Sequence, residues 1–303
     1  MDQARASITA LGAALMRAVY SRTSASPLIA DPWGDRLVLN QERDLVLKVV
    51  LNGLSQQDRE RCENLESLNT MLDCALQAHP GYGWAVLRTR YAEDALQVAV
   101  ERGTRQYVIM GAGLDSFALR QPSFAQDVDV FEIDHPATQD LKRQRLNHCG
   151  VPVPDRLHFI PADLSREQVG AVLMRSPFRS TDPAFFSWLG VTQYLTREAN
   201  LDTLRSIAAC AAAESELVFT YVEQAALDSG GASSRVARLQ GAFAAAREPW
   251  LSGFDPFELA EDLAAVGLIL IEDLDGQAAK SRYQADDLNP IGPSHIARAT
   301  ISA

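Results

Sequence analysis

Residues 108–115 read VIMGAGLD, and residues 128–134 read VDVFEID. The first run is apolar until it breaks into Gly111-x-Gly113, and the second is largely apolar and ends in the carboxylate of Asp134. In α/β sheets, a glycine turn after one strand and an acid at the end of the next, about 20 residues later, hold the ribose of a nucleoside cofactor. The two runs therefore indicate an α/β enzyme that uses such a cofactor.

Short apolar runs separated by helix-length segments continue to the end of the chain. The candidate strands cover residues 106–110, 128–133, 157–160, 185–189, 217–220, 268–272 and 296–301. This alternation predicts an α/β fold in which a seven-stranded, mostly parallel sheet carries helices on both faces. We assign residues 104–303 to this Rossmann-like catalytic domain.

The part of the chain before the first candidate strand has the pattern of helices. Residues 84–100 place apolar side chains three and four positions apart. The same spacing near the N-terminus gives a stripe of four residues: Ile8, Leu11, Leu15 and Val19. We therefore predict a helical cap over residues 1–103. Residues 224–250 interrupt the later strands with a glycine- and serine-rich stretch and an Ala/Arg segment, which predicts a mobile, lid-like insertion.

Charge and hydropathy exclude two classes of partner. The 303 residues carry a formal net charge of −11, and no concentrated basic face is present to neutralise phosphates, so we expect no nucleic-acid partner. No stretch approaches the roughly 18 uninterrupted apolar residues of a membrane span, and the N-terminus lacks the apolar core of a signal peptide. We expect a cytoplasmic protein with no membrane partner.

The cysteines suggest neither a metal site nor a disulfide framework. The chain has four, at Cys62, Cys74, Cys149 and Cys210, and their spacing is too wide for the close cysteine pairs of a zinc site. A cytoplasmic chain of this size needs no disulfides to be stable. We expect four free, buried or half-buried thiols and no bound metal.

Two nucleoside cofactors compete for the loop at Gly111-x-Gly113. A dinucleotide site has a third glycine where this chain has Ser116, and the carboxylate of Asp115 would repel a pyrophosphate. S-adenosylmethionine has no phosphate and carries a sulfonium, so acids near its site are tolerated. The loop favours S-adenosylmethionine over a nicotinamide dinucleotide.

A third element agrees with this choice. Asp163 and Leu164 follow the third candidate strand and offer adenine a hydrogen-bond acceptor and an apolar face. An aspartate in a turn, capping the next helix through Ser165, is the structural alternative for Asp163.

Four ordered motifs resemble those of the leucine carboxyl methyltransferase family: GAGLDS at 111–116, FEIDHP at 131–136, Asp163-Leu164 and WLGVTQYL at 188–195. The resemblance is specifically to its bacterial branch of small-molecule methyltransferases, and it runs from Arg17 to residues 288–290. It implies a class I methyltransferase fold, S-adenosyl-L-methionine as the cofactor and a place in secondary metabolism.

The resemblance also implies roles for individual residues. Arg88 matches the arginine that holds the methionine carboxylate, with Arg90 as the alternative. The other cofactor-binding positions are the glycine loop, the ribose acid, the adenine contacts and the residue at the fourth strand: Gly111, Ala112, Gly113, Asp134, Asp163, Leu164 and Leu189.

Leu189 departs from the pattern of relatives that methylate protein carboxyl groups, which have a glutamate there. This departure argues against a protein-phosphatase substrate and favours a small-molecule methyl acceptor. Whether the protein forms a homodimer is left open.

The acceptor decides whether a catalytic base is needed. A carboxylate is already ionised at neutral pH, whereas a phenol or an indole carbon must lose a proton. His135 and Tyr194 are the candidate catalytic residues, although His135 also suits a loop before Pro136 and Tyr194 also suits a packed aromatic. Arg17 and Tyr20 on the first helix are candidate substrate contacts.

The leading hypothesis is S-adenosylmethionine-dependent O-methylation of a carboxylate or hydroxyl on a small metabolite. The alternative within this class is C-methylation of an electron-rich aromatic ring such as indole. Two hypotheses from other classes stay open, an NAD(P)-dependent oxidoreductase and a non-catalytic regulator that binds S-adenosylmethionine.

Overall fold

A computed structural model describes residues 7–228, 234–245, 248–290 and 292–301. The glycine- and serine-rich part of the predicted insertion, residues 229–233, lies outside the described residues, as do residues 246 and 247. The prediction that this part is mobile therefore stays a prediction.

The described ranges contain seven strands in one sheet: β1 (Gln106–Met110), β2 (Asp129–Asp134), β3 (Leu157–Pro161), β4 (Ala184–Trp188), β5 (Glu216–Val222), β6 (Leu268–Asp275) and β7 (Ser294–Ile301). Their order across the sheet is β3-β2-β1-β4-β5-β7-β6. β7 runs antiparallel to both of its neighbours, and the other neighbouring pairs are parallel. The predicted seven-stranded, mostly parallel sheet is confirmed.

Helices precede the sheet and connect its strands. Those before β1 are α1 (Ile8–Thr23), α2 (Trp33–Leu37), α3 (Asn40–Gly53), α4 (Gln56–Glu63), α5 (Leu68–Ala78) and α6 (Gly81–Glu101). The later ones are α7 (Phe117–Arg120), α8 (Pro136–His148), α9 (Val169–Leu173), α10 (Arg197–Cys210), α11 (Gln224–Leu227), α12 (Ser234–Ala245), α13 (Leu259–Ala264) and α14 (Gly276–Arg282). None of the helices in the described ranges has the length and apolar character needed to cross a bilayer.

Side chains of the central strands alternate between two cores. In β1, Tyr107 and Ile109 pack with the N-terminal helices, whereas Val108 and Met110 pack on the opposite face with α9, α10 and α13. Successive strand residues point to opposite faces, so a strand covered by helices on both sides reads as a continuous apolar run. The N-terminal helices share one core with the sheet, and the division of the chain at residue 103 stays a prediction.

The strand ends differ from the predicted ones. β4 ends at Trp188, so Leu189 lies in the loop after it rather than in the strand. β5 begins at Glu216, and β7 begins at Ser294. These residues are polar or charged, and they join the sheet through backbone hydrogen bonds that apolar patterning does not record.

The expectation of four free thiols is wrong for one pair. Cys62 in α4 and Cys74 in α5 form a disulfide, with their Cα atoms 5.5 Å apart. The two helices pack against each other, which brings together cysteines that are 12 residues apart in the sequence. Cys149 and Cys210 are free thiols of intermediate exposure, as expected.

Candidate cofactor and acceptor site

The carboxyl ends of the five parallel strands, β1 to β5, lie at one edge of the sheet. β1 and β4 are neighbours in the middle of the sheet. The chain continues from β1 to β2 on one side of this pair and from β4 to β5 on the other. Ligands of open α/β sheets bind at such a switch point. A cavity of about 580 Å³ opens at this edge, and the residues predicted to bind the cofactor or to act in catalysis all line it: Arg88, Gly111, Ala112, Gly113, Asp134, His135, Asp163, Leu164, Leu189 and Tyr194.

The glycine loop follows β1 and passes beneath α1. Gly113 has a φ of +51°, in the left-handed region that favours glycine, and a Cβ there would lie 3.0 Å from the Cβ of Ala10 in α1. The backbone nitrogens of Gly111 and Ala112 donate to the carbonyl oxygen of Ile133. The loop is therefore tied to the end of β2, and a side chain at Gly113 would push α1 away.

Asp134 is held at the end of β2 by backbone donors. Its Oδ2 accepts a hydrogen bond from the nitrogen of Gly113 at 2.5 Å, and its Oδ1 accepts one from the nitrogen of His135 at 2.6 Å. Burial raises the pKa of Asp134, and these two hydrogen bonds oppose the shift by stabilising the carboxylate. The acid is thus oriented before any ligand arrives.

Arg88 presents a guanidinium to the cavity. No described side chain or carbonyl accepts a hydrogen bond from it, and no described carboxylate pairs with it. Burial, together with the positive charge of Arg17, lowers the pKa of Arg88 to about 10. Gly190 follows β4 and packs against the guanidinium so closely that a Cβ there would overlap it. A half-buried cation with no counterion among the described residues favours an anionic ligand.

The other arginines of the sequence hypothesis have partners in the protein. Arg90 donates to Asp94 Oδ2 at 3.1 Å and to the carbonyl of Leu28 at 2.9 Å, and it does not line the cavity. Arg17 lines the cavity but donates to Asp31 Oδ2 at 2.8 Å. Of the two arginines in the motif, only Arg88 faces the cavity.

Tyr20 is placed away from this cavity. It lines a separate polar cavity, and its ring packs edge-on against Tyr82 with ring centroids 6.3 Å apart. The candidate substrate contact at Tyr20 therefore lies outside the main cavity.

Asp163 forms the turn that the sequence offered as the structural alternative, and its predicted role in adenine binding stays a prediction. It lines the cavity, and its Oδ1 accepts hydrogen bonds from the backbone nitrogen of Ser165 at 3.1 Å and from the Ser165 hydroxyl at 2.5 Å. The hydrogen bond from the Ser165 hydroxyl lowers the pKa of Asp163. Leu164 packs at the edge of the core beside it.

His135 and Tyr194 face the same cavity from opposite sides of the switch point. His135 caps α8, because its Nδ1 accepts a hydrogen bond from the nitrogen of Ala137 at 3.3 Å. Burial raises the pKa of Tyr194, and the charge of Glu248 adds to the shift, while the side chains of Thr9 and Gln193 oppose it. Tyr194 is therefore a neutral hydroxyl at physiological pH.

A buried ion pair beneath the glycine loop was not found from the sequence. Lys142 Nζ donates to Glu132 Oε2 at 2.5 Å and to the carbonyl oxygen of Asp115 at 2.6 Å. Burial raises the pKa of Glu132 to about 7, against the opposing charge of Lys142. A lysine in a polar helix is normally exposed, so nothing in the sequence marks Lys142 as a support of the loop.

Glu248 is a second residue that the sequence did not single out. It lines the cavity, and its two carboxylate oxygens accept hydrogen bonds from the first turn of α1, from the nitrogen of Ile8 at 3.1 Å and that of Thr9 at 3.3 Å. The positive end of a helix stabilises a carboxylate in this position. No local motif predicts this contact, because it joins positions 240 residues apart.

Comparison with known proteins adds the family. The family model described as leucine carboxyl methyltransferase matches residues 10–208. The chain belongs to the leucine carboxyl methyltransferase family. It is accordingly a methyltransferase that uses S-adenosyl-L-methionine, which decides against the oxidoreductase that the glycine loop alone left open.

Two bacterial relatives support this membership. The chain is 32% identical over 280 residues to YktD of Bacillus subtilis, a candidate S-adenosyl-L-methionine-dependent methyltransferase, and the match covers 90% of each chain. A relative of the same description from Mycolicibacterium vanbaalenii is 29% identical over 235 residues, covering 77% of this chain and 72% of that one.

Solved structures match the fold. A DUF574 family protein from Streptomyces avermitilis superposes with a TM-score of 0.55 at 16% identity, covering 83% of this chain and 99% of that one. A candidate methyltransferase from Thermobifida fusca gives a TM-score of 0.53 at 17% identity, covering 85% and 95%. Together with the observed strand order, these neighbours confirm the class I methyltransferase fold.

Proposed function

We propose that this methyltransferase transfers the methyl group of S-adenosylmethionine to an oxygen, a carboxylate or hydroxyl, of a small metabolite. The observation that carries the proposal is Arg88, a cation in the wall of the cavity that has no hydrogen-bonding or ion-pair partner among the residues that the structure describes. It faces the same cavity as the glycine loop and Asp134, as an amino acid and a ribose joined in one ligand require.

Each part of the cofactor has a matching group in this cavity. Arg88 binds the methionine carboxylate, Asp134 accepts hydrogen bonds from the ribose hydroxyls, and Asp163 accepts one from the adenine amino group. Backbone and apolar side chains supply the remaining contacts: Gly111, Ala112, Gly113, Leu164 and Leu189. When bound, S-adenosylmethionine supplies an electrophilic methyl carbon on a sulfonium. The protein's task is then to hold the acceptor in line with that carbon and to exclude water.

His135 and Tyr194 orient the acceptor in this proposal. Because His135 Nδ1 accepts a hydrogen bond, the neutral ring carries its proton on Nε2 and presents a donor. Tyr194 is also a donor, since its raised pKa keeps the hydroxyl protonated. Two donors suit an oxygen acceptor and are of little use to a ring carbon, so O-methylation is favoured over C-methylation.

We also propose that the N-terminal cap over residues 1–103 and the insertion at residues 224–250 cover the bound acceptor. Helix α1 lies against the glycine loop, and α12 packs against α3. Ala242 and Phe243 of α12 line the cavity.

The test is methyl incorporation into a panel of acids, phenols and indoles, followed by mass spectrometry. Oxygen methylation predicts a methyl ester that mild base cleaves or an ether that it does not. Methylation of an indole carbon with no product at oxygen would refute the proposal.

Calorimetry with S-adenosylhomocysteine tests the ribose acid. Asp134→Ala removes a buried acceptor of charge-assisted hydrogen bonds, worth about 2 kcal/mol, so the dissociation constant should rise about 30-fold. Asp140→Ala, an exposed acid on α8, is the matched control and should leave the affinity unchanged. Equal affinities of the two variants would contradict the assignment of Asp134.

A further inference from the structure

The cavity continues beyond the strand ends into a region walled by helices. Here its lining is aliphatic, with Met16 from α1 and with Val46, Val49 and Val50 from α3. Trp84 from α6 closes the same side. Because the predicted cofactor residues lie along the strand ends, in the loop after β4 and, for Arg88, on α6, the rest of this helical region is the part of the cavity left for the acceptor. Its walls favour an apolar molecule.

Aromatic rings form one side of this region. The ring of His79 lies 6.1 Å from that of Phe243, and the ring of Phe243 lies 5.9 Å from that of Trp250, measured between centroids. All three residues line the cavity. A row of rings at these spacings offers stacking and edge contacts to a flat molecule.

Neither positively charged residue described in the cavity lining is available to an acceptor carboxylate. Among the described residues that line the cavity, Arg17 and Arg88 are the only lysines or arginines. Arg17 is bound to Asp31 at 2.8 Å and to the carbonyl of Leu114 at 3.1 Å. In the proposed function Arg88 binds the methionine carboxylate. An acceptor carboxylate would then enter an apolar region without a counterion, which is costly.

Glu248 adds a negative charge to the same region. Its carboxylate lies close enough to Tyr194 to raise the pKa of that hydroxyl, and both residues line the cavity. The carboxylate is held by the first turn of α1. It would repel a second carboxylate nearby, whereas it can accept a hydrogen bond or a proton from a hydroxyl group.

We infer that the methyl acceptor is an uncharged, flat, apolar molecule that presents a hydroxyl group to Tyr194 and Glu248, and that carboxylates are discriminated against. This inference rests on the proposed function, since it assigns Arg88 to the cofactor. In the reaction, the hydroxyl oxygen forms a bond to the methyl carbon. The carbon–sulfur bond breaks with its electron pair staying on sulfur, giving S-adenosylhomocysteine, and the hydroxyl proton passes to the carboxylate of Glu248.

The test compares 2-naphthol with 2-naphthoate, which share one ring system but differ in charge at pH 7.5, by calorimetry on the protein loaded with S-adenosylhomocysteine. 2-Naphthol should bind at least tenfold more tightly, and with S-adenosylmethionine it should yield a methyl ether that survives mild base. Equal or tighter binding of 2-naphthoate, or no binding of either compound to the loaded protein, overturns the inference. Failure of S-adenosylhomocysteine itself to bind would instead overturn the proposed function.

Glu248→Gln tests whether Glu248 repels carboxylates and accepts the hydroxyl proton. In this variant the affinities for 2-naphthol and 2-naphthoate should lie within threefold of each other, because an amide does not repel an anion. The kcat for 2-naphthol should fall at least 30-fold with little change in KM, because an amide does not take up the hydroxyl proton. Glu258→Gln, at an exposed acid outside the cavity, is the matched control and should behave as wild type. An unchanged affinity ratio and kcat in Glu248→Gln overturn the role of this residue. If the variant does not fold, the wild-type comparison still decides the class of acceptor.

Discussion

Replacing Arg88 by methionine should separate cofactor affinity from the stability of the ligand-free protein. Removing one partner of a buried, hydrogen-bonded charge pair costs 2–5 kcal/mol in binding. A value of about 3 kcal/mol corresponds to a roughly 140-fold rise in the dissociation constant of S-adenosylhomocysteine. The methionine side chain keeps most of the volume that packs against Gly190, so the loss should come from charge rather than from shape.

The ligand-free protein should respond in the opposite sense. Burial lowers the pKa of Arg88 to about 10, and keeping the guanidinium charged without a partner therefore costs the folded state roughly 1–3 kcal/mol. Arg88→Met removes that cost. We expect the free energy of unfolding of the ligand-free variant to equal or exceed that of the wild type, which urea titration measures.

Two controls make the assay specific. Arg90→Met changes the neighbouring arginine of the same helix, which pairs with Asp94, and it should alter the affinity less than twofold. 5′-Methylthioadenosine lacks the amino acid part of the cofactor, so Arg88→Met should bind it as the wild type does. The assignment of Arg88 would be refuted by wild-type affinity of Arg88→Met for S-adenosylhomocysteine, or by an equal loss of affinity for both ligands.

Two further predictions concern stability. Burial alone would lower the pKa of His295, but hydrogen bonds and charges from Asp273 and Glu223 raise it above its ordinary value. The contribution of His295 to stability is therefore complete below about pH 6.5 and is lost as the pH rises through the raised pKa. The difference in free energy of unfolding between wild type and His295→Gln should thus be larger at pH 6 than at pH 9, and a difference independent of pH would contradict this. Lys142→Met leaves the Glu132 carboxylate buried without a counterion and should destabilise the protein by about 3–5 kcal/mol in urea titration, whereas adding Glu132→Leu should recover part of the loss; a double variant as unstable as the sum of the single ones would disprove the coupling.

The cofactor half of the site was accessible from the sequence because its signals are local. Gly111 and Gly113 directly follow an apolar strand, and Asp134 ends the next one, so residues a few positions from a strand end are carried to a known edge of the sheet. The mostly parallel sheet follows from the same alternation of strands and helices, whereas the order of the strands came from the structure. Strand ends were less accurate, as Glu216 and Ser294 show, because backbone pairing continues through polar residues.

The choice between Arg88 and Arg90 shows where such reasoning stops. The two arginines are two positions apart on one helix, and both suit a carboxylate equally well as residue types. Helix packing turns Arg88 into the cavity and leaves Arg90 with Asp94 and the carbonyl of Leu28. The direction in which a side chain points depends on what its helix packs against, and that is settled by the whole core.

The sequence by itself determined the fold class, the cofactor and the strand ends at which we propose that it binds, because each depends on short-range patterns in which a strand is followed by a turn or an acid. The tertiary structure decided what depends on contacts between distant positions. It joined Glu248 to the first turn of α1, buried Lys142 against Glu132 beneath the glycine loop, and paired Cys62 with Cys74. Charge balance in the acceptor region arises from such contacts, since the fold decides which guanidinium and which carboxylate face the cavity and which are paired with each other.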